Sequence, residues 1–383
     1  MALLQSSPRI GIIGAGIIGL SAAYELAVHR GARVTIFDVG APGRGASWAA
    51  AGMLAPAFEA AADGRVHPGL FDLCLASARL WPEFAAGLAD RSGLPVGFDP
   101  AASLAVALDA DEAQKLARIA GRLAEANVAH TRLTPTDVRT LEPAISDQAV
   151  AGMELPTDFR VHNRLTVEAL LAVLRAHPKV AFVSGPAPLK SEGGRVVLKG
   201  HDAVLAAAGW QTASIKVEEH GQLFSLVNWD VGLDDIDCHG GQILSVAAVE
   251  GAPKRVVRSG HVYLVPRAGE IVIGATVEPD RILDAPEPQV IETLRLEGVR
   301  LCPELAEAPV TESWAGVRPG TPDEAPFICE TVTPGLFVAT GHYRNGILLA
   351  PVTARMIADI IFGVGARDIS GAFSTRRAYA ATA

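Results

Sequence analysis

The chain has 383 residues, enough for two domains, and its 49% hydrophobic and 20% charged residues make a globular composition with ample core material. A formal net charge of −9 runs against the basic surface that phosphate backbones require, so nucleic acid is not an expected partner. Cys74, Cys238, Cys302 and Cys329 show neither CxxC nor metal-ligand spacing, which argues against a disulfide scaffold or a zinc site and fits a reducing cytoplasm.

No stretch is apolar and long enough to span a bilayer, and residues 1–8 lack a basic segment followed by an apolar one, so neither membrane insertion nor a signal peptide is expected. In chain order, the apolar run 9–13 reads as a buried parallel strand. Residues 16–29 read as a helix stopped by Gly31, and 34–37 as a second strand ending at Asp38. Residues 49–68 are rich in Ala and Gly without a clear period and read as a loop. Helical patterns follow over 70–90, 111–127 and 165–176, with strand-like runs at 180–183 and 203–208. The pattern then changes. Residues 241–246, 261–266 and 270–276 are β-rich, and Arg267-Ala268-Gly269 makes a tight turn between the last two, which implies antiparallel sheet. A strand at 337–340 precedes a final helix over 347–362, with Pro351 near its start and Met356, Ile357, Ile360 and Ile361 on its buried face. The fold class expected is an α/β Rossmann-type domain plus an α+β domain with a largely antiparallel sheet.

Gly14-Ala15-Gly16-Ile17-Ile18-Gly19 is G-x-G-x-x-G placed between a strand and a helix. Gly14 permits the tight turn, Gly16 lets a pyrophosphate approach the backbone, and Gly19 lets the helix lie close on the strand. The helix start offers free N–H groups and partial positive charge to phosphates. Asp38 stands where an acid takes ribose hydroxyls, which disfavours NADP but leaves NAD and FAD equally open.

Four further blocks bear on that choice: Ala46-Ser47-Trp48-Ala49-Ala50-Ala51-Gly52-Met53-Leu54, Val262-Tyr263-Leu264-Val265-Pro266-Arg267, Trp314-Ala315-Gly316-Val317-Arg318-Pro319-Gly320 and the run Gly341-His342-Tyr343-Arg344-Asn345-Gly346-Ile347-Leu348. In order and spacing they resemble the D-amino-acid-oxidase-like flavoproteins, most of all the glycine oxidases of the thiamine pathway. The resemblance runs from about residue 9 to 363, sharp in these blocks and faint from about 60 to 200. It implies a noncovalently bound FAD and a two-domain fold. The FAD-binding domain would be assembled from 1–85, 150–215 and 315–375, and the substrate domain from 86–149 and 216–314. The fingerprint, Asp38, Ser47, Ala50, Gly52, Met53, Ala187 and Gly209 would contact the cofactor, with Tyr343 to Leu348 along the pyrimidine edge of the flavin. Backbone N–H groups around Gly346, Ile347 and Leu348, at the start of the last helix, would stabilise negative charge there.

Under the same resemblance Arg318 would grip the substrate carboxylate with its two parallel donors and Tyr263 would add a third bond. Arg344 is a candidate for the substrate end as well, or for holding its own loop. The chemistry implied is transfer of a hydride from the α-carbon of glycine or a similar small amino acid to the flavin. Dioxygen would then reoxidise it to give hydrogen peroxide, with the imine serving thiazole biosynthesis. No side-chain base is identified. A dehydrogenase passing electrons to another acceptor, an oxidase of a larger or N-methylated amine, and a flavin-binding protein without catalysis are the alternatives. Homo-oligomerisation is a family expectation. Three features depart from the family pattern. Gly240 stands where a basic residue often precedes Gly-Gln, Tyr343 stands where phenylalanine is common, and residues 228–239 form an acidic segment read as a solvated loop or, in the alternative, as one that reshapes the entrance.

Overall fold

The computed structural model describes residues 7–62, 67–260, 262–364 and 371–377; His261, drawn above into a strand, and residues 1–6 lie outside them. Strand Arg9–Ile13 pairs in parallel with Arg33–Asp38 on one side and with Ala203–Ala206 on the other. Val180–Ser184 and Leu336–Thr340 extend this sheet in parallel, and Phe327–Glu330 ends it antiparallel, making six strands. The strands run apolar because both faces are covered. Helix Ile17–Tyr24, which widens into a π-turn over Glu25–His29, links the first two strands. Its buried Ala22 and Ala23 let helices Asn163–Ala176 and Ala350–Phe362 pack closely against it. On the opposite face Ile13 and Phe37 pack against Leu189, Val196 and Val217 of a four-stranded sheet.

A second sheet of nine strands is antiparallel apart from the parallel pairing of Ser103–Ala107 with Val257–Arg258. Its two faces follow from strand alternation. Leu104, Val106, Leu244 and Ile273 face helix Pro288–Leu301, whereas Ala105, Ala107 and Met153 face helix Ala110–Glu125. The stretch 150–215 contributes Ala151–Leu155 to this second sheet, and the long strand Val310–Gly320 runs along its Asp237–Ala247 neighbour. Arg267 and Glu270 pair across Ala268-Gly269, with Gly269 at φ +81, the left-handed value the turn requires.

Three expectations are corrected. Residues 49–62, the part of the expected loop before the undescribed 63–66, are not a plain loop. Met53–Leu54 pairs with Phe159–Arg160, and Pro56–Ala62 is a helix. Its first N–H groups, from Ala57 and Phe58, donate to the carboxylate of Asp158 at 2.9 and 3.2 Å. That cap comes from a hundred residues away and leaves no local signal. The acidic segment 228–239 is not solvated throughout. Asp230 is buried and accepts from Gly232 N, Val332 N and Thr375 Oγ1, Leu233 is buried beside it, and Asp237 already opens a strand. Finally, the last helix begins at Ala350, so Gly346–Leu348 belong to the turns that precede it.

Candidate active site

A cavity of about 1320 Å³ runs from the fingerprint turn to the cross-strand face of the large sheet. At its first end, a Cβ on Gly14, which has φ +107, would meet the carbonyl of Ala207, and one on Gly19 would meet the carbonyl of Gly14. Glycine is therefore required for the turn and for the helix to seat on it. Gly16, Ile17 and Ile18 line the cavity; Gly19 does not, and its part is packing. Asp38 lines the cavity while its carboxylate accepts from Ala15 N at 2.7 Å and Gly40 N at 2.8 Å. A carboxylate offers about four lone-pair sites, so acceptor capacity remains for ribose hydroxyls. Ser47 Oγ accepts from Ile17 N at 2.8 Å and so satisfies one donor of the helix start, a capping role that the sequence did not reveal.

The segment after Ser47 is held by its carbonyls. Asn163 Nδ2 donates to Ser47 O and Trp48 O, Trp314 Nε1 to Ala49 O, Arg267 Nη2 to both Ala50 O and Ala51 O, and Val161 N to Gly52 O. Six consecutive carbonyls are thus bound from behind. Trans peptide planarity then turns the Ala51 and Gly52 N–H groups the other way, toward the cavity that Ala50, Ala51, Gly52 and Met53 line. Arg267 is almost wholly buried, also donates to Asn163 Oδ1 at 2.7 Å and pairs with Glu270, and burial lowers its pKa from the usual arginine value. Burial and the nearby Arg267 push His162 down to about 4. Gly52, at φ +85, would drive a Cβ into the carbonyl of Val161. Gly52→Ala is expected to cost roughly 2–4 kcal/mol from strain and clash together, read as a lower Tm in thermal unfolding.

At the other end, Arg318 Nη1 donates to Gly240 O at 3.2 Å and Thr276 O at 3.1 Å. Its guanidinium lies over Gly241, where any Cβ would run into it. A side chain at Gly240 would meet the backbone of Arg281 and the side chain of Leu283, so this position has no room for a basic residue. Tyr263 faces Gly274 across the strand pair, and its phenol occupies the space a Cβ there would take. Arg318 and Tyr263 line the cavity together, as does Arg344, which pairs with Glu324 at 3.3 Å and lies 5.0 Å from the centre of the Tyr343 ring. Tyr343, Asn345, Gly346, Ile347, Ala187 and Gly209 also line it. Leu348 does not; its carbonyl accepts from Ser77 and Trp81 in the core. His342 is buried with Nε2 3.0 Å from Thr353 Oγ1, and burial pushes it down to about 3, so it is neutral.

Arg258, Glu112, Asn163, Arg267 and Trp314 were not singled out from the sequence as site residues, because their partners are remote in the chain. Among the lining residues, Arg44, Lys115, Arg118, Arg122, Lys216, Arg258, Arg318 and Arg344 outnumber Asp38, Glu112 and Glu297, in a chain of net charge −9. A glycine cradle that any Cβ would fill, an acid beside it and this cationic lining fit a dinucleotide whose two phosphates are negative.

Comparison with known proteins agrees with that geometry. The bifunctional protein ThiO/ThiG of Nostoc sp. is 34% identical over 372 residues, covering 92% of this chain and 52% of that protein, so the chain spans about half of its length. The glycine oxidase of Pseudomonas aeruginosa is 30% identical over 374 residues, covering 93% and 95%. The crystal structure of glycine oxidase from Geobacillus kaustophilus superposes with a TM-score of 0.85 at 29% identity, over 97% of this chain and 100% of that one. No helix among the described residues is long and apolar enough to cross a membrane. With residues 9–360 matching the family model described as FAD dependent oxidoreductase, and with a cavity built to take the dinucleotide, the chain belongs to that family of flavoproteins.

Proposed function

We propose that this chain oxidises the C–N bond of glycine or a similarly small amino acid to the imine, with dioxygen as the final acceptor, and that the product serves thiazole formation in thiamine biosynthesis. Supporting this, the Nostoc relative carries ThiO and ThiG in one chain and the Pseudomonas relative is named glycine oxidase. The observation that carries the reading is the Arg318 guanidinium, fixed over Gly241 on the cavity wall and joined there by Tyr263.

FAD held in the cavity supplies the two-electron acceptor. The chain supplies position. Arg318, already oriented by two backbone carbonyls, presents its remaining donors to a carboxylate at little further entropic cost. The Tyr263 hydroxyl lies on the same wall, so the carboxylate is fixed in plane and the α-carbon faces into the cavity. Asp38 and the fingerprint N–H groups would hold the adenosine half, and Ala51 and Gly52 N–H groups would face the redox-active half. His342 also lines the cavity, buried and with its Nε2 bonded to Thr353 Oγ1. No side-chain base is assigned, and the amine is expected to react in its unprotonated form.

An anaerobic visible spectrum tests this. Glycine is expected to bleach the flavin band of the purified protein, and air is expected to restore it with peroxide formed. A band indifferent to glycine and to other small amino acids would overturn the reading. Slow return in air would replace oxidase by dehydrogenase.

A further inference from the structure

Arg318 Nη1 carries two N–H groups, and both are used, one on Gly240 O and one on Thr276 O. Two bonds from one nitrogen fix the plane of the guanidinium, and with it the plane offered to a carboxylate. Gly240 O belongs to the strand Asp237–Ala247. Thr276 lacks that support, because residues 275–277 lie between strands Glu270–Gly274 and Glu278–Pro279 and belong to neither. Its carbonyl is aimed instead by bonds to Gln242 and Glu278. Thr276 N donates to Gln242 O at 3.2 Å. The Thr276 hydroxyl accepts from Gln242 N at 2.9 Å and donates to Glu278 Oε1 at 2.6 Å. Arg318 lies over Gly241, so strand alternation sends the next side chain, that of Gln242, to the opposite face of the sheet. There it is fully buried, its Nε2 donating to Glu278 Oε1 at 2.9 Å and its Oε1 accepting from Glu287 N at 2.6 Å. The half-exposed Arg281 pairs with both Glu278 and Glu287. Burial opposes the charge of Glu278, but the bonds from Thr276 and Gln242 and the adjacent Arg281 outweigh it and hold this carboxyl below the usual glutamate range. Each side-chain nitrogen and oxygen of Gln242 and Thr276 thus has a partner, and a buried network satisfied in this way is rigid.

We propose that Gln242, Thr276 and Glu278 are positioning residues of the carboxylate site: through the Thr276 carbonyl they set the plane in which Arg318 presents its fork. The assignment rests on the C–N oxidase reading and deepens it. The network acts through Arg318 and needs no contact of its own with the substrate. With the network broken, Arg318 keeps its charge and its bond to Gly240 O but loses the second fixed point, so the fork turns about the first. A carboxylate is still attracted, but its plane is no longer set, and neither is the place of the α-carbon.

The test is a double-mutant cycle on the FAD-loaded protein with glycine. Thr276→Val keeps the shape and removes the hydroxyl, and is expected to lower kcat/KM about tenfold. Thr276→Ser keeps the hydroxyl and should recover most of that loss. In an Arg318→Ala background the same Thr276→Val change is expected to lower kcat/KM less than about twofold, because the fork it positions is gone. An equal loss in both backgrounds is what a merely structural threonine predicts, and it would overturn the proposal, as would wild-type kcat/KM in Thr276→Val. Where Arg318→Ala turns over too slowly to measure, the Kd of acetate, read from the change it makes in the oxidised flavin spectrum, takes its place. Acetate bound about tenfold more weakly by Thr276→Val, with FAD affinity unchanged, supports the assignment, and unchanged acetate binding overturns it. If Thr276→Val does not fold, Glu278→Gln goes through the same cycle, since it keeps an oxygen acceptor but not the charge. Its expected loss is about threefold with Arg318 present and none without it, and equal losses or no loss overturn the proposal. Glycine turnover that these variants leave unchanged removes the positioning role alone, whereas a flavin that no small amino acid reduces removes the oxidase reading beneath it.

Discussion

Arg318→Ala is expected to raise the apparent KM for the amino acid by about 10²–10³-fold while FAD stays bound. The size follows from what is removed. A guanidinium holding a carboxylate in a site screened from water is worth about 2–5 kcal/mol when one partner is truncated, and each 1.4 kcal/mol is tenfold. The FAD is expected to stay because the bonds of Arg318 itself run to Gly240 O and Thr276 O, on the sheet side, and not to the fingerprint or the Ser47–Gly52 segment. Arg318→Lys separates charge from geometry. It keeps the cation but loses the fork, so it should fall between wild type and alanine. Steady-state kinetics with glycine, alongside the flavin absorbance of each variant, gives the answer. Unchanged kinetics in Arg318→Ala would remove this residue from carboxylate binding.

The parts of this molecule legible in the sequence are those governed by local rules. The strand–turn–helix–strand unit is visible because each glycine does a backbone job that no other residue can do in place. The hairpin at Ala268-Gly269 is visible for the same reason, and Arg318 and Tyr263 are legible only through the order and spacing of the family blocks. What was hidden depends on residues far apart in the chain. The Pro56–Ala62 helix is capped by Asp158, and the six carbonyls from Ser47 to Gly52 are held by Asn163, Val161, Arg267 and Trp314. Asp230 looks like a solvated acid until Val332 and Thr375 are folded onto it. The absence of a basic residue at Gly240 reads as lost charge in the sequence. In the fold it is a packing limit, set by Arg281 and Leu283.

Arg267→Met should weaken FAD binding about 10–100-fold and lower thermal stability, although Arg267 belongs to the large sheet and is not among the residues lining the cavity. Its Nη2 is the donor for Ala50 O, Ala51 O and Asn163 Oδ1. Methionine fills similar volume but donates nothing, so those acceptors lose a partner at about 1–3 kcal/mol each where no water replaces it. Glu270, which faces Arg267 across the turn, also loses its counter-charge, a minor loss because it can turn to solvent. Asn163 in turn holds Ser47 O and Trp48 O, so the loss passes to the residues on either side of the cavity-facing N–H groups. The two effects can be measured apart. Titration of apoprotein with FAD, followed by fluorescence quenching, reports the cradle, and melting without FAD reports the fold. Lower Tm with FAD affinity within about twofold of wild type would confine Arg267 to stability. Loss of both, with Arg267→Lys restoring FAD affinity in part through a single donor, would mark it as the residue that aims the Ala51 and Gly52 N–H groups from behind.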